Sequence, residues 1–467
     1  MVASEAAPFC KTGGLADVLG ALPAALKQRG ENVGVVIPAY RSNRYPTPVQ
    51  EVYRNLRIAL GKGYNVDLYA CALHDVPFYF VDCPELYDRD GIYNSGGADY
   101  PDNHLRFAVL SMAAIEVARR VFRAQILHCH DWQTGLAPVY LRRDFSGDPT
   151  FTGSKALFTI HNQGFHGLCP PSVLPDIGLD PSFLAPDKLE FYGQVNLLKA
   201  GIVYSDWINT VSKTYAREIQ TPEYGFRLDG LLRARSAQLS GILNGVDYQE
   251  WNPENNDFIA RNYSADDLSG KRECKRALLA EMGLPEDLDR PLIGIVSRFA
   301  DQKGFGLIAE VAYQIAELDL SLVVLGSGDH QYESLFRNMV AAYPHKIAVR
   351  VGFDNPLAHR IEAGADMFLM PSLYEPCGLN QMYSLRYGTL PIVRATGGLD
   401  DTIEEGTGFK FWDRAGWALL SAIQHALSVY HDPFQWTTMI RNAMRKDFSW
   451  NASAGEYIAL YQRLLGL

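Results

Sequence analysis

Short apolar runs alternate with amphipathic segments along most of the chain. The apolar runs, such as 126–130 and 156–160, are bounded by polar or turn residues, which is typical of strands buried on both faces. The segments between them carry apolar residues at helical spacing. Residues 11–30 are an example, with one face formed by Leu15, Val18, Leu19, Leu22 and Leu26. Strands that alternate with helices predict an α/β protein with parallel, doubly wound sheets.

The pattern falls into two halves. In the first half it predicts strands at 33–38, 78–81, 126–130, 156–160 and 207–211, and helices at 11–30, 103–121, 133–143 and 191–205. Residues 41–75 indicate short antiparallel strands, and residues 163–190 indicate a loop rich in proline and glycine.

The segment 244–272 is polar and lacks periodicity, so we place the domain boundary there. After it the alternation begins again. The predicted strands are 292–297, 321–325, 347–351, 367–370 and 391–394, and the predicted helices are 304–318, 330–343, 357–364, 377–387, 415–430, 434–445 and 452–465. Each half is therefore expected to be Rossmann-like, with ligands at the carboxyl edge of its sheet.

Composition narrows the class of protein. The chain is 47% hydrophobic and 21% charged, which is typical of a globular protein, and its net charge of −10 argues against nucleic acid as a partner. No apolar run reaches the roughly 18 residues that a membrane helix needs. Seven scattered cysteines without a CxxC pair indicate reduced thiols in an intracellular compartment. No signal or transit peptide is recognisable, and Met1–Glu5 has the pattern of the end of a strand, so we expect an earlier natural start or a shortened first strand.

Polar residues follow several of the predicted strands. Glu375 comes after the strand 367–370 and just before a predicted helix, in whose first turn Pro376 is expected. The free N–H groups and dipole of that helix favour an anion. Other strand ends carry His130-Asp131, His161-Asn162, and Arg298 with Lys303. Together with Lys11 and the Gly-Gly turns at 13–14 and 397–398, whose N–H groups are potential donors, they predict a diphosphate site in a cleft between two domains.

Two other kinds of site were weighed. His128 and His130 share a strand face, but no third ligand is recognisable. Asp88 and Asp90 form an acidic pair, but they lie in a stretch rich in glycine, tyrosine and asparagine that indicates a loop. We therefore expect no metal. Gly326-Ser327-Gly328 suggests a dinucleotide motif, but its third glycine is replaced by Gln331. A nicotinamide enzyme is therefore disfavoured.

Several motifs resemble those of bacterial glycogen synthases and plant starch synthases. They run from residue 3 to about 461 and comprise KTGGLADV (11–18), HCHDW (128–132), ILNGVD (242–247), SRFADQKG (297–304), YEPCGLNQ (374–381), YGTLPIVRATGGLDDT (387–402) and the terminal FSW…Y…Y pattern (448–461). The resemblance implies the GT-B fold, in which two Rossmann-like domains face each other across a deep cleft. It implies domains at 1–247 and 248–447, with a C-terminal helix, 448–467, that crosses back to the first.

The resemblance also implies a reaction. Members of the family transfer glucose from a nucleotide sugar, usually ADP-glucose, to the non-reducing 4-OH of an α-1,4-glucan or maltooligosaccharide, with retention of configuration and without a metal or other cofactor. We expect these two substrates as the partners, with no nucleic acid and no membrane. The expected location is the cytoplasm if the source is bacterial and the plastid stroma if it is a photosynthetic eukaryote. The preference between ADP-glucose and UDP-glucose and the oligomeric state stay open.

Site residues are implied position by position. Lys11, Arg298 and Lys303 resemble the cations at the donor phosphates, and Glu375 resembles the glutamate at the donor glucose. His161 resembles the histidine near the glucosyl 6-OH, and Asp131, Trp132 and Asn244 resemble residues around the glucose and acceptor, with Trp132 on the acceptor side. The remaining donor positions are Gly13, Gly14, Asp17, Phe353, Cys377, Gly378, Asn380, Thr396, Gly397 and Gly398, of which Asp17 and Phe353 fall at the nucleoside.

Two departures and two alternatives accompany this interpretation. Tyr383 stands where related transferases carry a second glutamate, and Asn380 stands where some members have threonine. A catalytically silent glucan-binding protein is one alternative, against which the intact Lys11, Arg298, Lys303 and Glu375 argue. A transferase for another sugar on the same fold is the second.

Overall fold

The chain divides into two units in the computed structural model, which describes residues 1–467. The N-terminal unit consists of Met1–Val211, Ala216–Gly245 and Trp450–Leu467, and the C-terminal unit consists of Ser212–Tyr215 and Val246–Ser449. The sequence predicted the boundaries near 247 and 447, and it gave no sign that residues 212–215 group with the second unit. None of the helices is both long and apolar enough to cross a membrane.

The main sheet of the N-terminal unit has two four-stranded halves, ordered β1-β4-β3-β2 and β13-β12-β8-β7. Residues 1–3 join them, because Val2 pairs in parallel with both Val36 and Cys129. All pairings are parallel except those of β3, so this sheet is mixed. The strands of the unit are β1 (Val35–Pro38), β2 (Gln50–Ile58), β3 (Tyr64–Leu73), β4 (Val76–Asp82), β5 (Asn94–Ser95), β6 (Ala98–Asp99), β7 (Ile126–His130), β8 (Lys155–Ile160), β9 (Leu168–Cys169), β10 (Glu190–Phe191), β11 (Gln194–Asn196), β12 (Trp207–Thr210) and β13 (Leu239–Gly241).

The C-terminal unit has one six-stranded sheet, ordered β16-β15-β14-β17-β18-β19, in which every pairing is parallel. Numbered from the start of the unit, this is the doubly wound order 3-2-1-4-5-6. Its strands are β14 (Leu292–Val296), β15 (Ser321–Gly326), β16 (Ile347–Val351), β17 (Met367–Met370), β18 (Leu390–Arg394) and β19 (Phe409–Phe411). The order reverses between β14 and β17, which is where such sheets bind ligands.

The helices are α1 (Gly14–Gln28), α2 (Pro84–Tyr87), α3 (Asn103–Val117), α4 (Leu136–Arg143), α5 (Leu197–Tyr204), α6 (Lys213–Glu218), α7 (Asp229–Ala234), α8 (Ser269–Glu281), α9 (Phe305–Glu310), α10 (Ala312–Glu317), α11 (His330–Ala342), α12 (Asn355–Gly364), α13 (Asn380–Tyr387), α14 (Gly397–Thr402), α15 (Gly416–Tyr430), α16 (Pro433–Met444) and α17 (Trp450–Leu465). The last of these belongs to the N-terminal unit, where the Tyr461 hydroxyl lies 2.9 Å from Nδ1 of His128 and the Tyr457 hydroxyl accepts a hydrogen bond from Asn209.

Two predicted helices differ from the structure for identifiable reasons. The predicted helix 191–205 begins only at Leu197, because Tyr192 and Gly193 both adopt positive φ and form the turn of a hairpin between β10 and β11. The predicted helix 377–387 begins at Asn380, since Gly378 has a φ of +70° and cannot continue a helix. Pro376 therefore lies in the preceding loop rather than in the first helical turn.

All seven cysteines are free and buried. Burial raises the pKa of the Cys10, Cys129 and Cys169 thiols to about 12. The seven thiols pack as small apolar groups inside the two units.

Candidate functional site

Two loops meet at the strand-order reversal of the C-terminal unit. The loop after β14 carries Lys303, and the loop after β17 carries Glu375. The Leu373 N–H donates to the carbonyl oxygen of Gln302 at 2.8 Å. A Cβ at Gly304 would lie 1.9 Å from the carbonyl oxygen of Pro371, so only glycine permits this close approach. The sheet order thus brings together two residues that are 72 positions apart in the chain.

Lys303 and Glu375 form an ion pair. Nζ of Lys303 lies 2.6 Å from Oε2 of Glu375, and the Ser372 hydroxyl donates to the same oxygen at 3.0 Å. Glu375 is only 6% exposed, so its carboxylate depends on these two donors for its charge and hydrogen bonding. Arg298, from the same loop as Lys303, has an exposed side chain that forms no ion pair. The guanidinium is therefore available to an anion.

The Gly397-Gly398 turn supports the Glu375 loop. The Gly398 N–H donates to the carbonyl oxygen of Glu375 at 3.1 Å, and a Cβ on Gly398 would lie 2.0 Å from the carbonyl oxygen of Cys377. Gly397 has a φ of +47°, and its Cβ would lie 1.9 Å from the Glu375 carbonyl oxygen. The Gly398 N–H is thus used within the protein, and its contact with a phosphate stays a prediction.

Asn380 connects α13 to the central strand β14. Its Nδ2 donates to the carbonyl oxygen of Val296 at 2.9 Å, which ties the start of α13 to the end of β14. One N–H of this amide holds the two loops together, and its second N–H leaves the predicted phosphate contact open. Cys377 and Thr396 are both buried.

Phe353 follows β16 at the same edge of the sheet. Its ring is 93% exposed, the highest value among the large apolar side chains of the protein. An exposed ring of this size at the ligand edge is typical of a stacking surface.

In the N-terminal unit, the loop that precedes α1 is anchored by a buried carboxylate. Both oxygens of Glu5 accept hydrogen bonds from the Thr12 hydroxyl at 3.0 Å, and the Thr12 N–H donates to Oε2. The Tyr93 hydroxyl donates to Oε1 at 3.1 Å. Burial raises the pKa of Glu5, and the donors from Thr12, Tyr93 and Gly13 oppose that rise. Glu5 therefore fixes the position of the Gly13-Gly14 turn.

Lys11 stands on this loop beside Asp17. Its Nζ lies 2.6 Å from Oδ1 of Asp17, and both side chains are partly exposed. A surface pair of this kind contributes little stability and can exchange partners readily. Nothing lies within 4 Å of a Cβ built on Gly14. Gly14 accordingly lies open to solvent, whereas the Gly13 N–H is directed to Glu5.

Asp131 has a strained backbone directly after β7. Its φ of 59° and ψ of 179° fall in a region that residues other than glycine rarely adopt, and such strain is concentrated at functional sites. Its Oδ1 accepts a hydrogen bond from the His161 N–H at 2.7 Å. Burial raises the pKa of Asp131 to about 7, although the N–H groups of His161 and Asn162 lower it. This carboxyl group consequently changes charge near neutral pH.

His161 lies at the end of β8, next to β7. Its Nε2 is 3.0 Å from Nδ1 of His130, so the two rings share one hydrogen bond. Burial lowers the pKa of His161 to about 3, which keeps the ring neutral at physiological pH. The structure thus brings Asp131 and His161 together, as the sequence predicted from their positions at strand ends.

Trp132 and Asn244 also belong to this unit. The Trp132 ring packs edge-on against Phe107, with ring centroids 5.2 Å apart, and a Cβ built on Gly167 would lie 2.3 Å from the ring. Asn244 is buried, and its Oδ1 has no hydrogen-bond partner. A buried polar atom without a partner in a native fold calls for a functional explanation, such as a ligand.

Comparisons with known proteins identify the family. The model of the starch synthase catalytic domain matches residues 1–234, and that of the group 1 glycosyl transferases matches residues 282–431. A glycogen synthase of Koribacter versatilis is 51% identical over 99% of this chain and 97% of its own. A glycogen synthase of Myxococcus xanthus is 49% identical over 99% of this chain and 98% of its own. The catalytic domain of Arabidopsis thaliana starch synthase IV, solved with ADP and acarbose, superposes with a TM-score of 0.90 at 32% identity, covering 100% of this chain and 99% of that one.

The chain belongs to the glycogen and starch synthase family. It is a glycosyltransferase with the GT-B fold, as the resemblance of its motifs predicted. The two family matches contain most of the candidate residues described above. Asn244 lies between them, in the segment that neither match covers.

Sequence reasoning missed three supporting residues in this synthase. Glu5 is an isolated acidic residue in an apolar stretch, Ser372 is an ordinary loop serine, and His130 was noted at a strand end without a role. Their functions depend on the hydrogen bonds that they make to Thr12, Glu375 and His161. A buried carboxylate in the apolar stretch VASEAAPF was the one signal that could have singled out Glu5.

Asp88, Asp90 and His128, which are possible metal ligands by residue type, have hydrogen-bond or ion-pair partners within the protein. Arg41 lies 2.6 Å from Asp88 and 3.0 Å from Asp90. His128 has Tyr461 at Nδ1 and Thr159 at Nε2, at 2.9 and 2.7 Å. The two aspartates therefore share an exposed arginine, and His128 is held inside the N-terminal unit.

Proposed function

We propose that this synthase transfers glucose from ADP-glucose to the non-reducing 4-OH of an α-1,4-glucan, with retention of configuration. The observation that carries the proposal is the Lys303–Glu375 pair at the strand-order reversal, with the exposed Arg298 on the same loop as Lys303. A carboxylate and two cations suit a substrate that joins a sugar to a diphosphate. The relatives named glycogen synthase and the starch synthase solved with ADP and acarbose support the same substrates.

Fixed cations are proposed to stabilise the leaving group. As the bond between the anomeric carbon and the β-phosphate oxygen breaks, its electron pair passes to the ADP oxygen. Arg298 and Lys303 offer positive charge to that oxygen, and preorganised charges of this kind lower the barrier without rearrangement. Lys11 supplies a third cation. We propose that these side chains replace a divalent metal ion.

The sugar carries positive charge in the transition state. Carboxylates stabilise such an oxocarbenium-like species, and we propose that Glu375 and Asp131 act in this way. The acceptor 4-OH then bonds to the anomeric carbon on the face that the phosphate leaves, and its proton passes to the departing phosphate. This route needs no enzyme nucleophile, and the Glu375 carboxylate is already engaged by Lys303 and Ser372.

Trp132 is proposed to contact the glucan acceptor, and Phe353 is proposed to stack on the adenine. The exposed face of Phe353 supplies affinity with little discrimination between bases. We also propose a cytoplasmic location, as for an enzyme that shares its chain length and sequence with bacterial glycogen synthases.

A donor comparison tests the function. Purified protein is incubated with glycogen and either ADP-[¹⁴C]glucose or UDP-[¹⁴C]glucose, in excess chelator and with added Mg²⁺. We expect label in the glucan from the ADP sugar in both conditions, and its release by an enzyme that cleaves α-1,4 bonds. Glucan binding without transfer would indicate a silent binding protein. Transfer only from another sugar nucleotide would contradict ADP-glucose as the donor. Dependence of the transfer on Mg²⁺ would contradict the proposal that fixed cations replace a metal ion.

A further inference from the structure

The ring of His161 has an inner and an outer nitrogen. Its inner Nε2 lies 3.0 Å from Nδ1 of His130, a residue that is completely buried. Its outer Nδ1 has no hydrogen-bond partner in the protein, and it is not among the unpartnered polar atoms that are fully buried. Solvent therefore reaches it. The outer nitrogen is therefore the one that a substrate can reach.

The state of that outer nitrogen depends on His130. In a hydrogen bond between two neutral imidazoles, one nitrogen donates and the other accepts. The second nitrogen of His130, Nε2, is buried and has no partner. If His161 donated from Nε2, His130 would carry its own proton on Nε2 as an orphaned N–H, which folded proteins avoid most strictly. If His130 donates from Nδ1, its Nε2 is a bare lone pair, and His161 carries its proton on Nδ1.

We propose that His130 is a positioning residue for glucosyl transfer, which sets the tautomer of His161 so that Nδ1–H donates a hydrogen bond to the 6-OH of the donor glucose. The assignment of His161 to the glucosyl 6-OH, which the resemblance of its motif implies, rests on the proposed function. The tautomer itself does not, because it follows from the contacts inside the N-terminal unit. Burial keeps both rings neutral, as it lowers the pKa of each histidine.

His128 offers a matched control on the same strand face. Its ring centroid lies 4.1 Å from that of His130, with the two planes tilted by 32°, and it is also buried. Its hydrogen bonds go to Thr159 and Tyr461, and none goes to His161. Substitution of His128 disturbs the same core but leaves the donor to His161 in place.

The first experiment measures the tautomer in the unmodified protein. The histidines are labelled with ¹⁵N, and long-range ¹H–¹⁵N spectra distinguish protonated from bare ring nitrogens. The signals of His161 are assigned by their loss in His161→Asn. We expect a protonated Nδ1 and a bare Nε2 from pH 6 to pH 8. A protonated Nε2, or a ring that gains a second proton in this range, would overturn the proposal.

The second experiment measures the consequence for the sugar. The values of kcat/KM for ADP-glucose and for ADP-6-deoxyglucose are compared in the parent, His130→Leu, His130→Asn and His128→Leu. We expect the parent to favour the 6-OH donor by roughly tenfold, the scale of one hydrogen bond. His130→Leu should remove most of this preference, and His130→Asn should restore part of it, because an amide N–H can take the place of Nδ1–H.

The controls separate positioning from general damage. His128→Leu should lower stability and retain the preference for the 6-OH donor. Loss of that preference in His128→Leu, or its retention in His130→Leu, would overturn the proposal. A protein that transfers no glucose at all would refute the proposed function, while the ¹⁵N measurement would still decide the tautomer.

Discussion

Nζ of Lys303 lies 2.6 Å from Oε2 of Glu375, and this contact joins the end of one central strand to the end of its neighbour. The pair is mostly buried, with side-chain exposures of 23% and 8%. Each partner therefore lowers the desolvation cost of the other. A diphosphate that approaches Lys303 must share it with the carboxylate, so the pair links anion binding to the placement of Glu375.

Removal of the cations should separate chemistry from stability. Arg298→Ala and Lys303→Met should each lower kcat by roughly 10²–10³-fold, the scale of one lost charge-stabilising donor. Arg298→Ala should leave the thermal midpoint unchanged, because its side chain is exposed and unpaired. Lys303→Met should also lower that midpoint, since Glu375 would lose its buried counter-ion. Arg272→Ala, which removes an exposed ion pair with Asp289, is the control and should change neither quantity.

Neutralising the carboxylate should have opposite effects on binding and turnover. Glu375→Gln keeps an acceptor for Ser372 but removes the negative charge beside Lys303. We expect a lower kcat together with tighter binding of ADP, measured by titration calorimetry. Weaker binding of ADP to this variant would show that Glu375 holds Lys303 in place for the phosphate instead of competing for it.

A methyl group at Gly398 should displace the loop that carries Glu375. Its Cβ would lie 2.0 Å from the carbonyl oxygen of Cys377, so Gly398→Ala should cost about 1–3 kcal/mol of unfolding free energy and lower kcat. Gly306→Ala is the matched control within α9. Its nearest neighbour beyond the helix is the Tyr332 hydroxyl at 3.7 Å, and alanine favours a helix. Urea unfolding and turnover of both variants test this, and equal effects would contradict it.

The ionisation of Asp131 should govern the pH dependence of catalysis. Its pKa is raised to about 7 by burial, and a carboxylate rather than a carboxylic acid stabilises a cationic sugar. We therefore expect kcat/KM to rise with pH through about 7. Asp131→Asn should have low activity and lack this limb of the profile.

The ionisation of Asp131 should lower the stability of the protein as the pH rises, whereas it raises activity. The folded state binds a proton on Asp131 between pH 4 and 7, whereas the unfolded state, with a pKa of about 3.9, does not. The contribution of this proton to stability is present below pH 4 and is lost as the pH rises through about 7. The urea midpoint of Asp131→Asn should rise relative to that of the parent between pH 4 and pH 7. Above pH 7 the difference between the two midpoints should stay constant. A pH-independent difference would contradict the raised pKa.

Phe353→Ala should raise the KM for ADP-glucose more than it lowers kcat, because the ring is remote from the bonds that change. The ring is exposed and packs against little, so the fold should be unaffected. Initial rates over a range of donor concentrations measure both constants. An unchanged KM would place the adenine elsewhere.

The periodic parts of the fold were predictable, and the turns were not. Strands 126–130, 347–351 and 367–370 have the bounds that the apolar runs predicted. The hairpin turn at Tyr192-Gly193 was missed, since the apolar residues on either side of it also match a helical period. Helix α13 starts later than predicted because one left-handed glycine outweighs the helical pattern around it.

The site was predictable where a polar residue ends a strand. Lys303, Glu375, Asp131 and His161 lie at the strand ends that the pattern indicated. The partners of Glu375 and His161 were not predictable, because Ser372 and His130 act through contacts that depend on the packed backbone. Tyr383 illustrates the same limit. Its ring stacks on Trp251 with centroids 4.0 Å apart, so the position where related transferases carry a second glutamate serves packing here.

The buried cysteines have a practical consequence for fluorescence work. Every native thiol is shielded, and burial suppresses the thiolate that maleimide reagents attack. A single cysteine introduced at a fully exposed position would therefore be modified selectively without removal of the native ones. Position 353, whose side chain is 93% exposed, is suitable, and a dye attached there could report nucleotide occupancy during turnover.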